Sequence, residues 1–358
     1  MKTLCSLSVL CLLVIGITAG SCNKNNNDDT PEDWPSDSIR TVKQDLNFPW
    51  EILWGKDDHI WMTERGGRVS KIDPKTGDVV FSTTLPDVVS TGEGGLLGMV
   101  QHPDFLTNGY VYVVYDYNNG NNYREKVVRF SFQNNTLGNP FTVIDNITAA
   151  SIHNGSRLLI TADNKLLVST GDAGNAANAQ NTAVVNGKIL RLNLDGTIPA
   201  DNPVSGNPYW TYGHRNPQGM VMVNNTIYAS EHGPDVQDEL NIIEKGMNYG
   251  WQNITQNIKG PIWSSGNVTV AVCGLDYYNN DRIGQWKNSL LLATLKDATL
   301  YQFTLGTNGQ SVGTPKKYFS GKWGRIRDLC ISPQGRVYLC TSNGGNKDVL
   351  IEISQPGS

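Results

Sequence analysis

The chain has 358 residues, 39% of them hydrophobic and 17% charged, enough for one large all-β domain or two smaller ones. A formal net charge of -4 and the lack of any basic tract argue against a nucleic-acid partner. After Cys22 only Cys273, Cys330 and Cys340 remain, too few for a disulfide framework and spaced unlike a zinc site, although one bridge is possible.

At the start, Lys2 precedes an apolar run from Leu4 to Ile17, followed by Ala19-Gly20-Ser21-Cys22. The run is too short for an ordinary membrane span and ends in small residues, so residues 1–21 read as an export signal. Cys22 sits where the modified cysteine of a bacterial lipoprotein sits. The segment resembles a lipobox, with Ala19 in place of the more usual leucine. Residues 22–37 are polar and acidic without hydrophobic periodicity, and read as a flexible tether. The expectation is an exported protein held at the cell envelope by a lipid anchor, with residues 38–358 as its folded domain.

From Leu46 onward one pattern recurs: an apolar strand, a turn of Asp, Asn or Gly, a second apolar strand, then a third. The repeats open at Trp50, Gly95, His153, Gln218, Cys273 and Ile326. No segment shows a long amphipathic helical period. Six such repeats, roughly 45–60 residues apart, predict radial repetition, and a six-bladed β-propeller is its natural closed form. The surplus stretch Ser38 to Asp45 is free to supply an outer strand that closes the ring beside the last repeat.

The third repeat carries a chemical signal. His153 stands at the start of one predicted strand, and Asp172 follows the end of the next, Leu166–Thr170. In an antiparallel pair those two ends lie together. A histidine beside a carboxylate is the minimum kit for a general base, although a capped loop histidine has the same signature. The same rule, applied to every repeat, sorts other polar groups onto one face. Glu93, Arg215-Asn216, Arg325 and Arg327 fall at first-strand starts; Gly233-Pro234 and Lys296 fall at second-strand ends. Several cations converging on one mouth suit a small ligand with several carboxylates or phosphates. No glycine-rich phosphate loop or dinucleotide fingerprint follows a strand and opens a helix, so NAD and ATP are poorly supported.

A set of short motifs runs through the chain in order. It includes Asn47-Phe48-Pro49-Trp50, Gly92-Glu93-Gly94-Gly95-Leu96-Leu97-Gly98, His102-Pro103-Asp104-Phe105, Gly187-Lys188-Ile189-Leu190-Arg191 and Gly213-His214-Arg215-Asn216-Pro217-Gln218-Gly219. Glu231-His232-Gly233-Pro234, Asp238-Glu239-Leu240-Asn241, Asn248-Tyr249-Gly250-Trp251 and Gly324-Arg325-Ile326-Arg327-Asp328 continue it. With the His153 segment, these residues resemble the soluble quinoprotein sugar dehydrogenases, the PQQ-dependent glucose and aldose dehydrogenase family, from Asn47 to Ile353.

The resemblance implies oxidation of an aldose at C1 to the lactone, with hydride passing to PQQ and electrons then to an external acceptor. It implies that His153 is the base, with Asp172 orienting it. Arg215 and Asn216 would lie beside the reactive quinone carbonyls, and Lys296, Arg325 and Arg327 would hold the PQQ carboxylates. The backbone carbonyls of Gly233 and Pro234 would bind a calcium ion that also touches PQQ. Glu239 and Tyr249 resemble a second, structural calcium site. Two departures stand out: Glu93 occupies a place where glucose-specialised relatives carry glutamine, and Ser156 one where a glycine is commoner. The chain is short beside those relatives, which implies an open site and a broad preference for aldoses. Two rival readings share the fold: a calcium-dependent propeller lactonase, which would want acidic or Asn side chains in the channel, and a non-catalytic extracellular binding module.

Overall fold

Six antiparallel sheets of four strands each follow one another around an axis as the blades of a propeller. The computed structural model describes residues 34–355, apart from residues 253 and 255. The signal segment, Cys22 and most of the tether lie outside the described residues. Blade 1 is Pro49–Trp54, Ile60–Glu64, Arg68–Ile72 and Val79–Thr84. Blade 2 is Leu96–Gln101, Tyr110–Asn119, Asn122–Gln133 and Thr136–Thr148. Blade 3 is Gly155–Ile160, Lys165–Thr170, Lys188–Asn193 and Tyr209–Tyr212. Blade 4 is Pro217–Val223, Thr226–Glu231, Glu239–Ile243 and Trp263–Ser264. Blade 5 is Val272–Tyr278, Ser289–Thr294, Leu300–Thr304 and Lys316–Tyr318. Blade 6 is Ile326–Ile331, Val337–Thr341 and Asp348–Ile353, completed from the other end of the chain by Ile39–Leu46.

The closing strand pairs antiparallel with the last one, Ile39 opposite Ile353, and Arg40 forms an ion pair with Glu352. Three strands per repeat were legible in the sequence; each blade has four. The outermost strands are short or mostly exposed, as in Val79–Thr84 and Lys316–Tyr318, so they carry no apolar alternation to find. The second strands are the opposite case. Neighbouring blades cover both of their faces, so they read as near-continuous apolar runs; Ser289–Thr294 is buried at every position.

The apolar core lies between blades rather than on the axis. Trp61 of blade 1 packs edge-on against Phe105 and Phe132 of blade 2, with ring centroids 5.7 and 4.8 Å away. Within blade 5, Trp286 packs edge-on against Tyr278 and Tyr318. The axis itself is polar. Arg157, buried, pairs with Glu51 and Asp328 from blades 1 and 6 and lies 4.5 Å from the Trp50 ring centroid. Cys273, Cys330 and Cys340 are free and buried, so the bridge left open by the sequence is not formed among the described residues. No helix among the described residues is long and apolar enough to cross a membrane.

One irregularity repeats in all six blades. The innermost strand shifts register near its start: between Pro49 and Glu51, Leu96 and Met99, Gly155 and Leu158, Pro217 and Gly219, Val272 and Leu275, and Ile326 and Asp328. Such a bulge bends the strand and re-aims its side chains. The bulges lie at one end of the axis, the end to which the strand rule assigns the polar groups.

Candidate active site

His153 and Asp172 meet at the mouth of blade 3, with Nδ1 2.8 Å from Oδ1. The histidine ring is 14% exposed and the aspartate side chain 2%. Oδ1 also accepts the Gly174 N–H at 2.8 Å, and Oδ2 accepts the Trp251 indole N–H at 2.7 Å. Burial alone would raise the Asp172 carboxyl; the bonds from His153, Trp251 and Gly174 outweigh it and hold the group below its ordinary range. With Nδ1 bound to Asp172, Nε2 has no hydrogen-bond partner among the described residues and is the nitrogen left for a substrate.

Both partners sit on braced loops. His153 itself has a left-handed φ of 61°, which costs a non-glycine residue roughly 1–2 kcal/mol. Asn154 closes the turn with both amide ends on Ala150, and Glu93 accepts the His153 N–H at 3.3 Å. Ser156 also has a left-handed φ, 71°, a conformation that glycine adopts without strain; its hydroxyl bonds the buried Glu125 carboxylate. The loop beyond Asp172 contains the short helix Ala177–Gln180 and is pinned by Lys188. That buried ammonium donates to the carbonyls of Asn178, Ala179 and Asn186 at 2.8, 3.1 and 2.7 Å, and burial pushes it down to about 8.

The cations gather around this pair. Arg327 is buried and donates to Gln218 Oε1 at 2.8 Å. Arg215 reaches the His232 carbonyl at 3.4 Å and faces the Trp251 ring at 5.4 Å. Arg325, exposed, bonds the Ser342 carbonyl at 3.2 Å. Arg65, overlooked in the sequence, donates to the Gly92 carbonyl at 2.7 Å and lies close enough to Arg327, Arg325 and Glu93 to feel their charge. It follows the end of a second strand, so the strand rule could have found it. Among the described residues none of these four arginines forms an ion pair, and the Nε atoms of Arg65, Arg215 and Arg327 are buried without an acceptor. Lys296 lies on the same face just past the end of its strand and is exposed, with its backbone N–H on the Val270 carbonyl at 3.0 Å. Asn216 is buried and uses Oδ1 to accept the Gly155 N–H at 3.0 Å.

Beside the mouth is a cavity of about 250 Å³ lined by Gly233, Pro234, Glu239 and Tyr249, together with Arg215, Glu231 and Trp251. The two calcium groups expected separately therefore share one cavity wall. Asp238 donates nothing to it: one oxygen accepts the Gly233 N–H, and the other takes Thr269, Val270 and Ala271. Its work is to hold the Gly233 loop. That loop is tight, since a Cβ on Gly233 would lie 1.9 Å from the Val236 carbonyl oxygen. Tyr249 uses its hydroxyl on Ile242 and Glu244, which leaves only its carbonyl as a metal donor. Glu239 is raised to about 7 by burial and by Glu231 and Asp238; only Asn241 donates to it, and it forms no ion pair among the described residues. No group of three His, Cys, Asp or Glu side chains placed to hold a metal ion occurs among the described residues. A hard cation held by carbonyls and one carboxylate fits this donor set.

A second histidine is paired with a carboxylate at a hairpin end. His214 Nδ1 lies 2.8 Å from Glu231 Oε2. That pair is sealed, because His214 is fully buried and its Nε2 is 2.9 Å from Thr211 Oγ1. A third histidine, His232, bonds Gln218 Oε1 at 3.2 Å; burial and the charges of Arg327 and Arg215 push it down to about 3. Only His153 combines a carboxylate partner with an open nitrogen.

Residues 46–351 match a family model described as glucose / sorbosone dehydrogenase. Quinoprotein glucose dehydrogenase B of Acinetobacter calcoaceticus is 34% identical, over 89% of this chain and 89% of that protein. The aldose sugar dehydrogenase of Escherichia coli (strain K12) is 30% identical, over 88% of this chain and 92% of that protein. The PQQ-bound form of aldose sugar dehydrogenase from Streptomyces coelicolor is similar in structure, with a TM-score of 0.77 at 30% identity, covering 89% of this chain and 98% of that one.

Proposed function

The chain belongs to the glucose / sorbosone dehydrogenase family and is a quinoprotein sugar dehydrogenase, and on that premise we propose that it oxidises aldoses at C1 to lactones. The observation that carries this reading is an open His153–Asp172 pair facing several unpaired arginines. PQQ, when bound, supplies the two-electron acceptor that takes hydride from C1. The chain's own part is the proton. His153 Nε2 takes it from the C1 hydroxyl as the C1–H bond breaks and C1=O forms, and Asp172 holds the tautomer and steadies the imidazolium.

Guanidinium groups with no carboxylate partner suit an anionic cofactor, because desolvated donors gain most from charged acceptors. We assign Arg325, Arg327 and Lys296 to the PQQ carboxylates, Arg215 and Asn216 to the neighbourhood of its reactive carbonyls, and Glu93 to a further hydrogen bond. The Gly233 and Pro234 carbonyls are assigned to a calcium ion beside PQQ, and Glu239 with the Tyr249 carbonyl to a second. An external acceptor completes the cycle. The decisive assay loads the purified protein with PQQ and calcium and follows dye reduction with a panel of aldoses; no PQQ-dependent turnover of any aldose would overturn the proposal.

Lys296 tests the cofactor assignment, since an exposed side chain can be removed with little effect on the fold. Lys296→Ala should raise the PQQ concentration for half-maximal activity about tenfold, the low end for a lost charged hydrogen bond, with kcat at saturating PQQ within about twofold. Unchanged PQQ titration would remove Lys296 from the site.

Export and lipid anchoring at Cys22 complete the reading, supported by the small residues before that cysteine and the polar stretch after it. The mature protein should partition into detergent, and Cys22→Ala should release it to the soluble fraction. An unmodified mature N-terminus elsewhere would sink this assignment.

A further inference from the structure

We infer that Trp251 is a positioning residue of the proton-abstracting pair, fixing Asp172 through its indole N–H and Arg215 through its ring. The inference rests on the reading of His153 as the base. Each Asp172 oxygen has a defined role: Oδ1 is shared by His153 and Gly174, while Oδ2 is held by Trp251 Nε1 at 2.7 Å. An indole N–H only donates, so it accepts no alternative partner from this carboxyl and favours an unprotonated oxygen at Oδ2. With both oxygens tied, the carboxylate cannot turn away from His153.

Trp251 is itself held from two sides. Its N–H donates to the Gly213 carbonyl at 2.9 Å, and its carbonyl accepts Gln180 Nε2 at 2.7 Å. Gln180 is tied to Asn248 by two hydrogen bonds, 3.1 and 2.9 Å. The ring lies 5.4 Å from the Arg215 guanidinium carbon, within cation–π range, and the Arg215 carbonyl accepts the Asp172 N–H at 2.8 Å. One side chain thus touches the carboxylate that orients the base and the arginine beside it. A residue serving only as a packing wall would need neither a donor at this place nor a doubly anchored backbone.

The test separates the donor from the bulk. Trp251→Phe keeps an aromatic ring and removes the N–H; Trp251→His retains an N–H. In the PQQ-loaded enzyme Trp251→Phe should lower kcat about ten- to hundredfold, as loss of a partner that orients a site group does, with sugar KM within about twofold. In the cofactor-free protein, the Asp172 carboxyl followed by carbon-13 NMR should titrate at higher pH in Trp251→Phe and move back toward wild type in Trp251→His. An Asp172 titration in Trp251→Phe that superimposes on wild type would overturn the inference, whether or not kcat falls. A failure of the underlying reading looks different: His153→Gln would then turn over sugar normally while the Asp172 titration still responds to Trp251.

Discussion

His153→Gln should lower kcat by about two to four orders of magnitude, the usual worth of a positioned general base. Glutamine retains a polar side chain of similar reach but cannot take the C1 hydroxyl proton. The cations that surround the mouth are untouched, so PQQ should still bind and still perturb the protein spectrum. The expected loss therefore falls on kcat and not on cofactor affinity, as when a group acts only in the transition state. The other histidines offer no rescue. His214 is sealed against Glu231 and Thr211, and burial, helped by the neighbouring arginines, keeps His232 neutral. Normal turnover by His153→Gln would reopen the lactonase and binding-module readings.

Exhaustive chelation should abolish PQQ-dependent turnover and lower the melting temperature. An ion bound only to the folded state at a hundred times its Kd stabilises by about 2.7 kcal/mol. The effect should depend on pH with a definite sign. In the metal-free protein Glu239, Asp116 and Asp276 are each raised to about 7, in every case chiefly by burial. A carboxyl raised above its unfolded value holds its proton in the fold after the unfolded chain has lost it. Its stabilising contribution is complete below about pH 4 and is lost as pH rises through about 7. Metal-free protein should therefore melt progressively lower between about pH 4 and 7 and level off above. Calcium competes with the Glu239 proton, so the gap between calcium-loaded and chelated melting temperatures should widen over the same interval. A gap independent of pH would remove Glu239 from the metal site; full activity in metal-free protein would remove calcium altogether.

Much of this was legible because a propeller converts sequence position into location. His153 and Asp172 are 19 residues apart, and antiparallel pairing alone brings their ends together. Arg215, Arg325 and Arg327 obey the same rule, and so does Arg65, which directly follows the second strand of blade 1. Trp251 was not legible. It reaches Asp172 across 79 residues of chain, from a segment between two strands of blade 4 that no strand rule locates. The sealed His214–Glu231 pair shows the converse, since a histidine and a carboxylate at a hairpin end need burial to tell a structural pair from an open one. Apart from the closing strand Ile39–Leu46, the outer strands stayed hidden because exposed edges carry no hydrophobic period.

The pairing of Ile39–Leu46 with Asp348–Ile353 has a consequence for the order of events in folding. Each of the first five blades is assembled from contiguous chain and can form as it emerges. The sixth cannot be completed until the far end is available, and the contact that seals it, Arg40 with Glu352, spans 312 residues. The entropic cost of closing so long a loop grows only slowly with length, but it places the most non-local pairing of the molecule at the last step. An incomplete chain is therefore an open arc with two unpaired blade edges, which makes truncation near the C-terminus a cause of aggregation rather than of partial activity.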